Sequence, residues 1–199
     1  MQRGLFLLPR LAWKRDDDNE LSLSGVVQAS HSSSRGASHT DNLAGTFPSP
    51  DYVDSNQESP FAQRIAKVDA NWVAKLGGGK LDVTVSVERS HQASDSLNDY
   101  YIAGKARRLL RDWRTDTHGR RHAVRAKFTR SLFEGHSFAA GMEASAANDA
   151  QASDRDDRLD LEPPVVTQET FESRVVRAAG GAQDEWSIGK HLPVYLGLR

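Results

Sequence analysis

The sequence predicts an all-β protein: an antiparallel up-and-down meander of about eight strands, forming part of a transmembrane β-barrel. Three observations lead there. Segments that alternate apolar and polar residues are joined by short turns at 15–19, 75–80, 131–136 and 187–191. Three long polar loops fall at the opposite end of the strands. An aromatic residue precedes every turn: Trp13, Trp72, Phe128 and Trp186. Long loops at one end, short turns at the other and an aromatic row near the turns form the pattern of a barrel in lipid. These four rings are the expected membrane-interface residues, since an aromatic ring favours the half-wet boundary.

The elements follow in order. Gly4–Lys14 is an edge strand, because Pro9 has no amide to donate to a ladder on both sides. Glu20–Ser30 places Leu21, Leu23, Gly25, Val27 and Ala29 on one face and Ser22, Ser24, Gln28 and Ser30 on the other. His31–Ser59 is rich in Ser, Asn, Asp, Gly and Pro and reads as a solvated loop. Pro60–Ala74 alternates Ala66, Val68, Ala70 and Trp72 with Lys67, Asp69 and Asn71. Leu76-Gly77-Gly78-Gly79 suits a tight hairpin, where glycine permits positive φ. Leu81–Glu88 is the cleanest strand, with Leu81, Val83, Val85 and Val87 opposite Asp82, Thr84, Ser86 and Glu88. Ser90–Thr117 reads as a second loop, in which Lys105–Arg114 has the makings of a short basic helix. Gly119–Arg130 and Ser137–Ala146 are strands, Ala147–Glu169 is a third loop, and Thr170–Trp186 and Leu192–Arg199 complete the set.

Composition narrows the class. The chain has 199 residues, no cysteine and a formal net charge of −1. That charge gives no general field for nucleic acid, and the missing thiols exclude disulfides and cysteine–zinc sites. With 38% hydrophobic residues and a mean hydropathy of −0.61, the chain lacks the ~20-residue apolar runs of spanning helices. A barrel strand shows lipid only every second residue, so a barrel remains open. Met1–Arg10 holds too short an apolar core for a signal peptide. We therefore expect residues 1–199 to be a fragment of a larger barrel.

Alternation alone does not say which side is apolar. A soluble lipocalin-like barrel or a sandwich would hide that face inside. Lipid is favoured by the charged opposite face, by the small residues Ala66, Ala70, Ala126 and Ala140 on the apolar face, and by loops gathered at one end. An outer-membrane barrel enzyme, protease or lipid hydrolase, is a further alternative. Its only trace is Ser90-His91 with Asp116 and His118.

Several stretches resemble the barrel region of TonB-dependent outer-membrane receptors. The clearest is Ala182-Gln183-Asp184-Glu185-Trp186, followed after a turn by Tyr195-Leu196-Gly197-Leu198-Arg199. Phe128–His136 with Gly141–Ser145, Leu8–Lys14 and Asn71–Leu76 also fit. The resemblance covers nearly the whole chain. It implies a 22-stranded barrel closed by an N-terminal plug, residence in the bacterial outer membrane, and uptake of a siderophore or similar nutrient. It implies no enzyme activity, no catalytic residue and no cofactor. The implied partners are outer-membrane lipid and lipopolysaccharide, a small-molecule or metal-chelate ligand, and TonB through an N-terminal region with the plug, which this fragment lacks.

Five residues are candidates for ligand contact. Arg107, Arg108 and Arg111 offer charge-assisted donors to an anionic chelate, and Tyr100 and Tyr101 offer rings to stack on. The plainer reading is a basic surface segment touching lipid phosphates. No metal site is expected: His118 and His122, four apart on a strand, stand ~13 Å from each other. Asp154–Arg158 lacks the glycine and final glutamate of a calcium loop.

Overall fold

The computed structural model describes residues 2–16, 18–41, 43–45, 52–104, 107–133, 135–160, 162–188 and 192–198. They form nine strands and one sheet: β1 (Gln2–Leu7), β2 (Arg10–Asp16), β3 (Asn19–His39), β4 (Asp54–Leu76), β5 (Gly79–Tyr101), β6 (Arg107–Ser131), β7 (His136–Leu159), β8 (Val165–Ile188) and β9 (Leu192–Leu198). Every pairing is antiparallel and every strand from β3 onward pairs with its chain neighbours. The expected edge strand is divided: β1 and β2 lie end to end along β3, with the break at Leu8-Pro9. The Gly25 amide still donates to the Pro9 carbonyl at 2.8 Å, and a Cβ on Gly25 would meet the Pro9 ring at 2.9 Å. Among the described residues β1 and β2 pair only with β3, and β9 only with β8, so the sheet is open.

The turns fall where the sequence puts them. Gly77 and Gly78 have φ of 60° and 78°, the left-handed pair that a two-residue hairpin requires. Gly135, at 81°, closes the β6–β7 connection. Residues 189–191 of the last turn lie outside the described residues.

The long loops are the main correction. Their sequences are strand for most of their length, and the connections at that end span only residues 40–53, 102–106 and 160–164. No basic helix forms at 107–114; that segment opens β6. Strands β3 to β8 run 21 to 25 residues, ~70–80 Å at ~3.3 Å per residue. An apolar band needs only ~25 Å of that. Beyond the band both faces meet water, so polar residues alternate with polar residues and period two disappears from the sequence. The backbone ladder continues all the same, from Leu21↔Trp72 to His39↔Asp54. Ion pairs cross it at Arg35–Glu58, Arg114–Asp95 and Arg111–Asp157, all register partners.

The sheet has an inverted sidedness. Trp13, Leu21, Trp72, Val83, Ala126 and Met142 share one face. That face is exposed: Val68 by 54%, Val87 by 46% and Met142 by 59%. Over β4 and β5 the polar face is the sheltered one. Asp69 and Glu88 keep 25% and 22% of their side-chain exposure. Asn71 donates to Asp82 at 2.7 Å, and Ser86 to Asp69 at 2.5 Å. Among the described residues only Ala74 and Leu109 are buried hydrophobics. A sandwich or lipocalin-like barrel buries its apolar face; this sheet turns that face outward and shelters the polar one.

Candidate functional site

The four turn-proximal aromatics hold their level against the turns while the register drifts. Trp13, Leu21, Trp72, Val83, Ala126, Met142 and Gly180 form one cross-strand row. Phe128 lies two residues past Ala126 and Trp186 six past Gly180, both toward the turns. The strand ends move in the same direction, so each ring stays within four residues of its own strand end. This stagger is what tilted barrel strands require. Trp13, Trp72 and Trp186 are exposed and Phe128 half-buried. His136 stacks on Trp186 at 5.2 Å and reaches Asp184 at 3.0 Å.

At the other edge of the apolar band, on the same face, stands a polar row. Arg89 pairs with Arg120, Arg120 with Asn148, and Asn148 with Arg174. All three arginines are exposed. No ion pair links Arg89, Arg120 or Arg174 to any described carboxylate, whereas Arg111, Arg114, Arg155 and Arg158 farther up the strands are paired. One row higher, Arg64 pairs with His91 and His91 with His118.

The candidate ligand residues gather around the β5–β6 connection but divide between faces. A register shift between Tyr100 and Tyr101 separates them. Tyr100 and Arg111 belong to the sheltered polar face, where Tyr100 packs on Tyr52 at 5.1 Å between ring centres. Tyr101 is one residue along, paired with Asp54 and Arg107. Arg107 is engaged with Asp99 at 3.0 Å, and Arg111 with Asp157. Arg108 is exposed and has no ion pair among the described residues. Tyr52 was not singled out by sequence. Burial pushes its phenol up, against the opposing pull of Arg108 and Arg111.

Asp154–Arg158 is not a loop. It lies in β7, where Arg155 and Arg158 bind Asp157 and Asp156. Burial raises the Asp157 carboxyl, but hydrogen bonds from Arg155 and Arg111 override it and hold it down to about 2. The residues that suggested a hydrolase divide between faces: Ser90 pairs with Ile65 and Gly119 on the polar face, while His91 belongs to the other.

No protein-family model matches the sequence, and no curated protein matches it closely. Solved structures do. The ferric yersiniabactin uptake receptor FyuA from Yersinia pestis superposes with a TM-score of 0.55 at 16% identity, over 98% of this chain and 28% of that one. The fold is that of a section of this receptor's β-barrel. The ferric-catecholate import receptor Fiu from E. coli K12 gives 0.57 at 12% identity, over 98% and 35%. The ferric citrate transporter FecA gives 0.52 at 12%, over 98% and 27%. The chain thus spans about a quarter to a third of the length of these receptor-fold proteins. All three are named as receptors or transporters, none as an enzyme.

Proposed function

We propose that this chain is a section of the wall of an outer-membrane receptor that takes up an anionic metal chelate, such as a siderophore complex, with energy from TonB. The observation that carries the reading is the inverted sidedness: an exposed apolar face with aromatic and arginine borders, and a sheltered hydrogen-bonded polar face. Lipid satisfies the first, and a barrel lumen the second. The open sheet supports a wall that continues in further strands. In this reading TonB acts on a plug inside the barrel, not on the wall.

Two contacts belong to the proposal. Arg89, Arg120 and Arg174, just above the apolar band, meet the acidic groups of lipopolysaccharide, which relieve the repulsion of directly opposed like charges. Arg108, with Tyr52 and Tyr100, meets the ligand near the lumen mouth through charge and ring stacking. Arg107 and Arg111 hold the wall, because their charges are already matched.

The experiment is reconstitution into lipid vesicles. The expected result is protease-protected apolar strands and tryptophan fluorescence quenched by brominated lipid. A chain that stays monodisperse in plain buffer and ignores vesicles would overturn the reading.

A further inference from the structure

The cross-strand pair His91 and His118 creates an arrangement that the receptor reading does not use. The two imidazoles stack with centres 4.5 Å apart and planes within 5° of parallel. Both turn Nε2 to one carboxylate: His91 lies 2.9 Å from Asp116 Oδ2, and His118 lies 2.7 Å from Oδ1. One ligand atom from each residue lies within 4.8 Å of the others. Asp116 Oδ1 is covered, yet it has no well-directed hydrogen bond among the described residues. Two rings side by side thus share one acceptor, and only one is oriented to donate to it.

The surroundings leave room. Asp116 is flanked by Ala93 on β5 and Ala152 on β7, and His118 by Ala150. The residues that bear charge around the site on this face are Arg64 on β4, Arg89 and Asp95 on β5, Arg114 and Arg120 on β6, Asp154 on β7, and Glu172 and Arg174 on β8. Asp95 is taken up by Arg114. The remaining arginines oppose a cation, so two imidazoles and a carboxylate must outweigh them.

We propose that His91, Asp116 and His118 form a site for a divalent first-row transition ion on the outward face of the wall, one row above Arg89 and Arg120. Two imidazoles and one carboxylate suit zinc, copper or nickel and do not suit magnesium or calcium, which prefer oxygen alone. Three protein ligands leave a coordination position for water or an anion. The ion clips β5 to β6 outside the lipid band. Binding displaces any proton held between the rings and the carboxylate, so acid competes with the metal.

The test uses the whole chain in detergent micelles with Zn²⁺ as probe, followed by calorimetry, and Co²⁺ followed by its visible absorption. We expect one ion per chain, no response to Mg²⁺, and a cobalt spectrum of low coordination number with nitrogen ligands. His91→Ala and His118→Ala should each weaken binding by at least about tenfold, the loss that removing even a supporting partner causes. His122→Ala, on the same strand and face but paired with Val87, should change nothing. Equal effects of His122→Ala and His118→Ala, or no stoichiometric binding, would overturn the site. If a variant fails to insert, the wild-type cobalt spectrum decides alone: a six-coordinate aqueous spectrum overturns it.

Discussion

Arg111 grips Asp157 across the β6–β7 ladder with two hydrogen bonds, Nε to Oδ1 at 2.8 Å and Nη2 to Oδ2 at 3.2 Å. A forked pair of this kind in a register position fixes strand alignment far from the lipid band. Asp157 is accordingly held down to about 2, from the usual 3.8. Its folded value is depressed, so the stabilisation is complete above ~4 and is lost as pH falls through ~2. A carboxylate chemical-shift titration should place its midpoint near 2, and Arg111→Ala should move it upward. A midpoint unchanged from an ordinary aspartate would show that the fork does not persist in solution.

The aromatic border should be measurable by depth. Brominated lipids should quench Trp13, Trp72 and Trp186 most when the bromine sits near the headgroup. Replacing Trp72 by alanine should reduce insertion efficiency without changing register, read as an unaltered strand signal by circular dichroism. Strongest quenching with bromine at the bilayer centre would count against an interfacial position.

The arginine row should reverse its effect with the lipid. Arg89→Gln with Arg120→Gln removes a directly opposed like-charge pair, which should stabilise the wall in neutral detergent by about 0.2–1 kcal/mol. The same double variant should lose retention of lipopolysaccharide on a column. Unchanged retention would remove lipopolysaccharide from the role proposed for this row.

Ligand capture should depend on Arg108 more than on its neighbours. In the intact receptor to which this wall is assigned, Arg108→Ala should weaken binding of an anionic ferric chelate, most at low salt. The affinities of wild type and variant should converge as salt rises. Arg107→Ala should act weakly, since Asp99 already matches that charge. Equal losses for both variants in direct titration would return the site to a diffuse basic patch.

The half of the fold inside the apolar band was legible in the sequence. Val83, Val85 and Val87 against Thr84 and Ser86 admit only a strand, and Gly77-Gly78 only a tight turn. The half beyond it was not, because residues such as Ser32, Ser33 and Ser34 carry the composition of a loop while pairing with Phe61, Pro60 and Ser59. Cross-strand register, which no local pattern encodes, decided the sites too. Spacing compared His118 with His122 on its own strand; register put His91 beside it. Proximity in sequence grouped Arg107, Arg108 and Arg111, and the shift at Tyr100/Tyr101 set Tyr101 and Arg107 apart from Tyr100 and Arg111.

Because each long strand pairs only with the strands before and after it in the chain, the wall can assemble in order of synthesis. Each new hairpin needs a single receptive edge, and the newest strand always supplies it. At the other margin of the described sheet, the interruption at Leu8-Pro9 divides the outer strand into β1 and β2. Two short pieces make a less regular template for a stray chain than one continuous strand, so the proline break guards this margin against mispairing.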